Sequence, residues 1–151
     1  MADFVYTEAL ADLMDKTIGL LAADDLRCRL VMTNTTADTD EDAATWAAFS
    51  VDDEMDGASY ATVALASEAV TAVTATDRGK FDANDTTFAA LGVGTRNVLA
   101  VVVVKYVDGG NADIPIFYIE SGFNPPTGKP ANGGDFKITW HADGIAYSSN
   151  I

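Results

Sequence analysis

A predominantly apolar stretch at residues 97–107 contains four consecutive valines at positions 101–104. The stretch is too short to cross a bilayer as a helix, and β-branched side chains favour extended backbone. Because polar residues do not alternate along it, a strand formed here should be buried on both faces. We therefore predict that residues 97–107 form the central strand of the main sheet.

A turn is predicted directly after this strand. Residues 108–111 read Asp-Gly-Gly-Asn, and these residue types tolerate positive φ. Residues 113–119 are again rich in isoleucine and aromatic side chains, which suits a returning strand. Together these segments predict a central hairpin.

Other segments show the period of two that is typical of strands. In residues 26–32 the alternation places Cys28 on the core face and Arg29 on the opposite face. In residues 135–141 it places Phe136, Ile138 and Trp140 on one face, so these three side chains are predicted to fill the core. The remaining predicted strands are residues 60–65, 70–76, 86–91 and 145–148, with a turn at 77–79 and a closing hairpin between 135–141 and 145–148.

One helix is predicted, over residues 7–18. Leu10, Leu13 and Met14 recur there at helical spacing, with Thr7 as a candidate N-cap and Gly19 as a candidate stop. The apolar stripe is expected to pack on the sheet, and contact with a partner is the alternative.

The order of elements predicts the fold class. About eight short strands joined by turns, with one helix in front, indicate a mainly β chain. We expect an antiparallel β-sandwich or jelly-roll-like fold in a single domain, residues 1–151, with an N-terminal α-helix. Polar residues 33–44 and the proline- and glycine-rich residues 120–134 are predicted to be long surface loops.

The charge of the chain restricts its partners. Twenty-three acidic residues against nine basic ones give a formal net charge of −14. Such a surface repels phosphate backbones and anionic lipid headgroups, so we expect neither nucleic acid nor a membrane as a partner. The N-terminal residues lack the pattern of a secretion signal, so synthesis in the cytoplasm is expected.

Catalytic groups are scarce in this sequence. Cys28 is the only cysteine, and it falls on the core face of its predicted strand, where it should behave as a small hydrophobic residue. His141 is the only histidine and falls on the presumed polar face of its strand, with no nucleophile at a recognisable spacing. We therefore expect that the protein is not an enzyme and needs no cofactor.

The acidic loop contains a partial resemblance to a calcium site. Asp38, Asp40 and Asp42 have the spacing of the first ligands of a calcium-binding loop. Ala43 and Phe49, however, occupy the positions where the motif requires glycine and glutamate. A solvated loop without a metal is therefore the expected structure.

Four segments carry a resemblance to a known family. They are residues 30–33, residues 77–85, the valine-rich strand ending in Val-Lys-Tyr at 104–106, and residues 133–145, which read Gly-Gly-Asp-Phe-Lys-Ile-Thr-Trp-His-Ala-Asp-Gly-Ile. With these segments, the chain from about residue 10 to 145 resembles small structural proteins encoded by tailed bacteriophages and prophages. The closing segment is the most specific, because the family pattern there runs Gly-Asp-Phe-Thr-Ile-X-Trp-X-Ala-X-Gly-Ile.

The middle segment matches less well. The family pattern there is Asn-Arg-Ala followed by Phe-Asp-Ala-Asp-Asp, and this chain departs from it at Asp77, Gly79, Lys80 and Asn84. The asparagine at position 84 removes a carboxylate, which weakens any metal-binding role for the segment.

The resemblance implies a component of the virion. It implies a capsid decoration (cement) protein that binds the outer surface of the assembled head and bridges capsid subunits. The expected partners are then the major capsid protein and neighbouring copies of the chain itself, and the expected location is the capsid surface.

Two alternatives remain open. One is a tail or head-fibre component of the same kind of virion. The other is a β-sandwich module that binds carbohydrate or a host surface, for which exposed aromatic side chains in a concave patch would be required. The candidate aromatic residues for such a patch are Trp46, Phe123, Trp140 and Tyr147.

Two segments are predicted to touch the capsid. Residues 2–6 and the loop 120–134 combine apolar side chains with backbone that is expected to be free to pair. The predicted contact residues are Phe4, Val5, Tyr6 and Phe123.

Overall fold

The computed structural model describes residues 3–149, and within them the fold is mainly β, with antiparallel sheets and a single α-helix near the N-terminus. The predicted fold class is therefore confirmed. The elements are β1 (Phe4–Val5), α1 (Thr7–Asp15), β2 (Leu26–Met32), β3 (Val63–Ala64), β4 (Ala69–Val73), β5 (Arg78–Asp82), β6 (Thr86–Phe88), β7 (Val98–Lys105), β8 (Ile114–Ile119), β9 (Phe136–Ile138) and β10 (Ala146–Ser149), with short 3-10 turns at Ala22–Asp24 and Trp46–Ala48.

Strand β7 is the middle of the main sheet, whose five strands lie in the order β1-β8-β7-β2-β3. Its residues from Val98 to Val104 are all buried, and β8 returns beside it with Val103 opposite Phe117. The predicted central hairpin is confirmed. The connection is longer than the predicted turn, since β8 begins only at Ile114 and the buried Asp113 carboxylate accepts hydrogen bonds from the N–H groups of residues 107–109.

Both faces of the main sheet are covered, which explains the absence of polar alternation in β7. On one face, Cys28, Val103 and Phe117 lie side by side. Phe81 of β5 stacks on Phe117 with 5.7 Å between ring centres, and the Thr86 hydroxyl of β6 lies 3.8 Å from Cys28 Sγ. The sheet is therefore sandwiched between the shorter strands and the loops on its other side.

Strand β2 corrects one prediction. The expected polar face of this strand is also buried, and Arg29 is only 3% exposed. Its guanidinium lies against the ring of Trp46, which the loop after β2 brings over this face. Period-two alternation indicated a solvated face here because the pattern within the strand does not show that the following loop folds back over it.

Two smaller sheets complete the fold. The outer sheet has the order β10-β5-β4, and the small sheet consists of β6 and β9. The predicted closing hairpin is wrong: β9 pairs with β6, whereas β10 pairs with β5. The predicted turn at 77–79 is also displaced, because Arg78 and Gly79 already belong to β5 and the chain reverses over residues 74–77.

Helix α1 is shorter than predicted. Tyr6 is its N-cap, it ends at Asp15, and Lys16 follows in the left-handed conformation at φ 68°. Ala9 is the fully buried side chain of the helix, whereas Leu10 and Met14 are 49% and 78% exposed. The expectation that the apolar stripe packs on the sheet is therefore wrong for these two residues.

Trp140 is less buried than predicted. It follows β9 and is half-buried, with its indole N–H donating to the backbone carbonyl of Asn84 at 3.0 Å. Phe136 and Ile138 are buried as expected, at 5% and 6% exposure. The strand ends before Trp140 because the chain leaves the small sheet there to reach the outer sheet.

Candidate contact surface

The N-terminal segment forms an edge of the main sheet. Phe4 pairs with Tyr118, Val5 pairs with Phe117, and the Tyr6 N–H donates to the Ile116 carbonyl at 3.0 Å. Since this bond directs residues 4 and 6 toward β8, the peptide groups of Val5 point to the free edge. The backbone of residues 4–6, which was predicted to be free to pair, is therefore free only on the side away from β8.

The four predicted contact residues differ in exposure. Tyr6 is 0% exposed and Phe123 is 4% exposed, which corrects the expectation that these side chains are presented to a partner. The Tyr6 hydroxyl donates to the Ala37 carbonyl at 2.8 Å, and Phe123 packs against Phe136. Phe4 and Val5 are half-buried, and Ala2 of the predicted contact segment lies outside the described residues.

Phe4 and Val5 line a cleft of about 430 Å³ between the β1 edge and the start of β10. We call it the edge cleft. Its opposite wall comes from the closing segment and β10, with Ile145 and Tyr147 as the large apolar side chains and His141 at the rim. Over residues 3–149, the lining consists of Asp3, Phe4, Val5, Phe117, Tyr118, Ile119, Ser121, His141, Gly144, Ile145, Ala146 and Tyr147.

The turn of the closing segment depends on glycine. Gly144 has φ 93°, and its N–H donates to the His141 carbonyl at 2.8 Å. A Cβ at this position would collide with the backbone carbonyl oxygen of Phe81. The Asp143-Gly144 turn expected from the sequence is therefore present, and it fixes one wall of the edge cleft against the outer sheet.

The edge cleft is poor in charge compared with the whole chain. Among the lining residues that the structure describes, Asp3 is the one carboxylate, and its Oδ1 accepts hydrogen bonds from the N–H groups of Glu120 and Ser121 at 2.9 and 3.0 Å. Burial raises the pKa of Tyr118 well above its ordinary value, so this phenol stays neutral. In a chain of net charge −14, the cleft is a place where another protein can approach without meeting a cluster of acids.

Cys28 and His141, the two side chains considered above as catalytic candidates, each have a defined place in the fold. Burial raises the pKa of Cys28 to about 12, so its thiol stays protonated. The His141 side chain is 77% exposed, and its Nδ1 accepts a hydrogen bond from the Asp143 N–H at 3.1 Å. Over residues 3–149, no group of three or more His, Cys, Asp or Glu side chains is arranged to hold a metal ion.

The aromatic residues considered for sugar binding are dispersed. Trp46 is 2% exposed and Phe123 is 4% exposed, whereas Tyr147 is 59% exposed. The Tyr147 ring lies 4.9 Å from the guanidinium carbon of Arg78. A carbohydrate platform needs several exposed rings together, and these residues do not supply one.

Sequence reasoning missed a buried charge cluster on the main sheet. Arg29 pairs with Asp113 at 3.0 Å and with Glu54, and the Tyr60 hydroxyl donates to Glu54 Oε1 at 2.7 Å. The same Tyr60 oxygen accepts the Leu30 N–H at 3.0 Å. These bonds tie two connections to β2, the one between β2 and β3 and the one between β7 and β8, which gives the cluster a structural role.

Comparison with known proteins identifies no relative of this chain. No known protein family, curated protein or solved structure matches this chain. Among residues 3–149 there is also no helix that is long and apolar enough to span a membrane.

Proposed function

We propose that this protein is a bacteriophage capsid decoration protein that binds the outer surface of the assembled head and stabilises it by bridging capsid subunits. The proposal rests on the resemblance of the closing segment, residues 133–145, to phage structural proteins. Its specific partner is the major capsid protein, and its location is the capsid surface.

One observation carries the proposal furthest. The closing segment, which gives the most specific resemblance, supplies His141, Gly144 and Ile145 to the edge cleft, and the N-terminal residues Phe4 and Val5 form the opposite wall. Two segments that sequence reasoning selected for different reasons thus meet at one surface. The half-buried apolar side chains and the free peptide groups of Val5 suit an extended segment of a capsid subunit.

The charge distribution supports the same surface. Densely arranged copies of a chain with net charge −14 repel one another within a Debye length of about 8–10 Å. Attachment to the shell must outweigh this repulsion through contacts that do not bring acids together. The edge cleft meets this requirement, and its binding should be unchanged or stronger as salt screens the repulsion.

The first test is the composition of purified particles. Mass spectrometry should find the protein in a copy number comparable with that of the major capsid protein. A few copies per particle would indicate the tail or head-fibre component instead, and absence from particles would contradict a virion role.

The second test addresses the surface. Val5→Lys and Tyr147→Lys, on opposite walls of the edge cleft, should each weaken binding to heads lacking the protein by at least about tenfold. Val93→Lys is the matched control, because Val93 is 74% exposed and lies outside the cleft lining. All variants are compared by melting temperature, so that loss of folding is separated from loss of binding.

The results of these experiments separate a failure of the proposed function from a failure of the proposed contact site. If the parent chain coats heads and both cleft variants coat them equally well, the edge cleft is not the contact. If moderate salt removes the parent chain, ion pairs hold it and the charge argument fails. Deletion of residues 2–6 is unsuitable, since it would remove β1 and the buried Tyr6.

A further inference from the structure

Within residues 3–149, strand β4 has one edge that pairs with no other strand. It pairs with β5 on one side and is the last strand of the outer sheet on the other. Its five residues make it longer than the edge strands β1 and β3 of the main sheet, and its residues 69–72 are all exposed. The large apolar side chain of Val70 is 57% exposed. A row of free backbone donors and acceptors on such a strand is a template for another strand.

The register identifies which groups are free. The Phe81 carbonyl accepts the Ile145 N–H at 2.9 Å, so the peptide groups of Phe81 face β10. Strand β4 lies on the other side of β5, where Val70 is opposite Phe81. The peptide groups of Phe81 therefore point away from Val70 and do not bond to it. Because an antiparallel ladder alternates, Val70 and Ala72 then direct their N–H and C=O groups away from β5, toward the free edge.

The hairpin that presents this edge is electrically neutral. Residues 69–82 contain two acids, Asp77 and Asp82, and two bases, Arg78 and Lys80, so their charges sum to zero. The remaining 21 acids and 7 bases therefore carry the whole net charge of −14. Residues 69–76 contain no charged side chain at all. Two copies of the chain that approach through this hairpin therefore bring no net charge together.

We propose that the β4 edge binds the β4 edge of a second copy. Antiparallel pairing centred on Thr71 places Val70 of one copy opposite Ala72 of the other, with their free peptide groups exchanging hydrogen bonds. The same contact repeats across the two-fold axis, so the interface closes on itself as a dimer. The two outer sheets become one continuous six-stranded sheet.

This contact uses every residue of β4, and it pairs the two Thr71 side chains directly across the axis. Four backbone hydrogen bonds make a small interface, so the dimer is weak in dilute solution and gains from high local concentration. The inference does not rest on the proposed function, because it concerns the isolated protein.

Sedimentation equilibrium of the purified chain, from micromolar to millimolar concentration, tests the proposal. The expected result is a monomer–dimer equilibrium that shifts toward dimer as salt increases. Ala72→Pro removes an N–H that faces away from β5, so the internal ladder is retained and two intermolecular bonds are lost. It should lower the association constant at least tenfold, or about 1.4 kcal/mol. Ala72→Val retains the N–H and should associate like the parent.

Thr71→Glu is a second variant that does not rely on proline. Within one chain the new carboxylate lies opposite Lys80, which favours folding, but in the dimer two carboxylates would face each other. It should remain monomeric at low salt. A parent chain that is monomeric at every concentration and salt level overturns the proposal, as does normal dimerisation of both folded variants.

Discussion

The guanidinium carbon of Arg29 lies 3.6 Å from the centre of the Trp46 ring. The same guanidinium donates to Asp113 and to the Gly110 carbonyl at 3.0 and 2.9 Å. One buried side chain therefore joins the loop after β2 to the connection between β7 and β8. Its loss would leave the fully buried Asp113 carboxylate without its cation.

Arg29→Met should lower the free energy of unfolding by about 3–5 kcal/mol, as is typical when one member of a buried ion pair is removed. Arg27→Met is the matched control on the same strand, since Arg27 pairs with the more exposed Asp25 and should cost about 1 kcal/mol or less. Urea denaturation of both variants measures the difference. Equal losses would show that burial of the Arg29 cluster contributes nothing specific.

Trp140→Ala should cost about 1–3 kcal/mol, because the ring is half-buried and its N–H bond to Asn84 is exposed. Phe136→Ala, at a site that is 5% exposed, should cost about 3–5 kcal/mol. The same denaturation experiment ranks the two. A larger loss for Trp140 than for Phe136 would contradict the burial of these side chains.

Gly144→Ala should destabilise the fold by about 3 kcal/mol or more, since strain at positive φ adds to the collision with the Phe81 carbonyl. Gly122→Ala separates these causes. Gly122 has φ 87°, but a Cβ there meets no atom within 4 Å, so only the strain of about 1–2 kcal/mol remains. Thermal unfolding should show the two variants clearly apart, and similar melting temperatures would contradict the close approach.

Acid should weaken the loop that contains Asp40. The Asp40 carboxylate accepts hydrogen bonds from the Thr36 hydroxyl at 2.6 Å and the Ser50 N–H at 2.7 Å, which hold the pKa of Asp40 below its ordinary value. A carboxyl with a lowered folded-state pKa stabilises the fold above its unfolded-state pKa, and this contribution is lost as pH falls through the folded-state pKa.

Asp40→Asn should therefore be less stable than the parent at pH 7, and the deficit should shrink as the solution is acidified below the unfolded-state pKa of about 3.9. Asp42→Asn, in the same loop at an exposed position, is the control. Unfolding free energies measured across this pH range decide the matter. A deficit that is constant with pH would mean that the Asp40 charge has no part in it.

The main sheet was predictable because its signal is local. The valines at 101–104 fill both faces of β7, and residues 113–119 return beside them, so composition alone indicated a buried central hairpin. The edges of elements were less predictable. Helix α1 ends at Asp15 because Lys16 turns left-handed, and no glycine at that position signals the stop.

Long-range pairing accounts for the other errors. Nothing within residues 135–148 indicates that Phe136 pairs with Phe88 while Ala146 pairs with Phe81. The burial of Arg29 likewise depends on Trp46, which a polar loop carries over the sheet. Of the four residues predicted to touch a capsid, Phe4 and Val5 line the edge cleft, whereas Tyr6 and Phe123 belong to the core.

The pairing of β10 with β5 affects the order in which the chain can fold during synthesis. Strand β5 emerges from the ribosome well before β10, so one edge of the outer sheet stays open until residues 146–149 are available. Strands β2, β7 and β8 can already pair before this point. We expect the nascent chain to consolidate its main sheet first and to close the outer sheet last. Ribosome-bound fragments ending shortly before residue 146 would then leave the backbone edge of β5 without its partner strand and be the species most prone to aggregate.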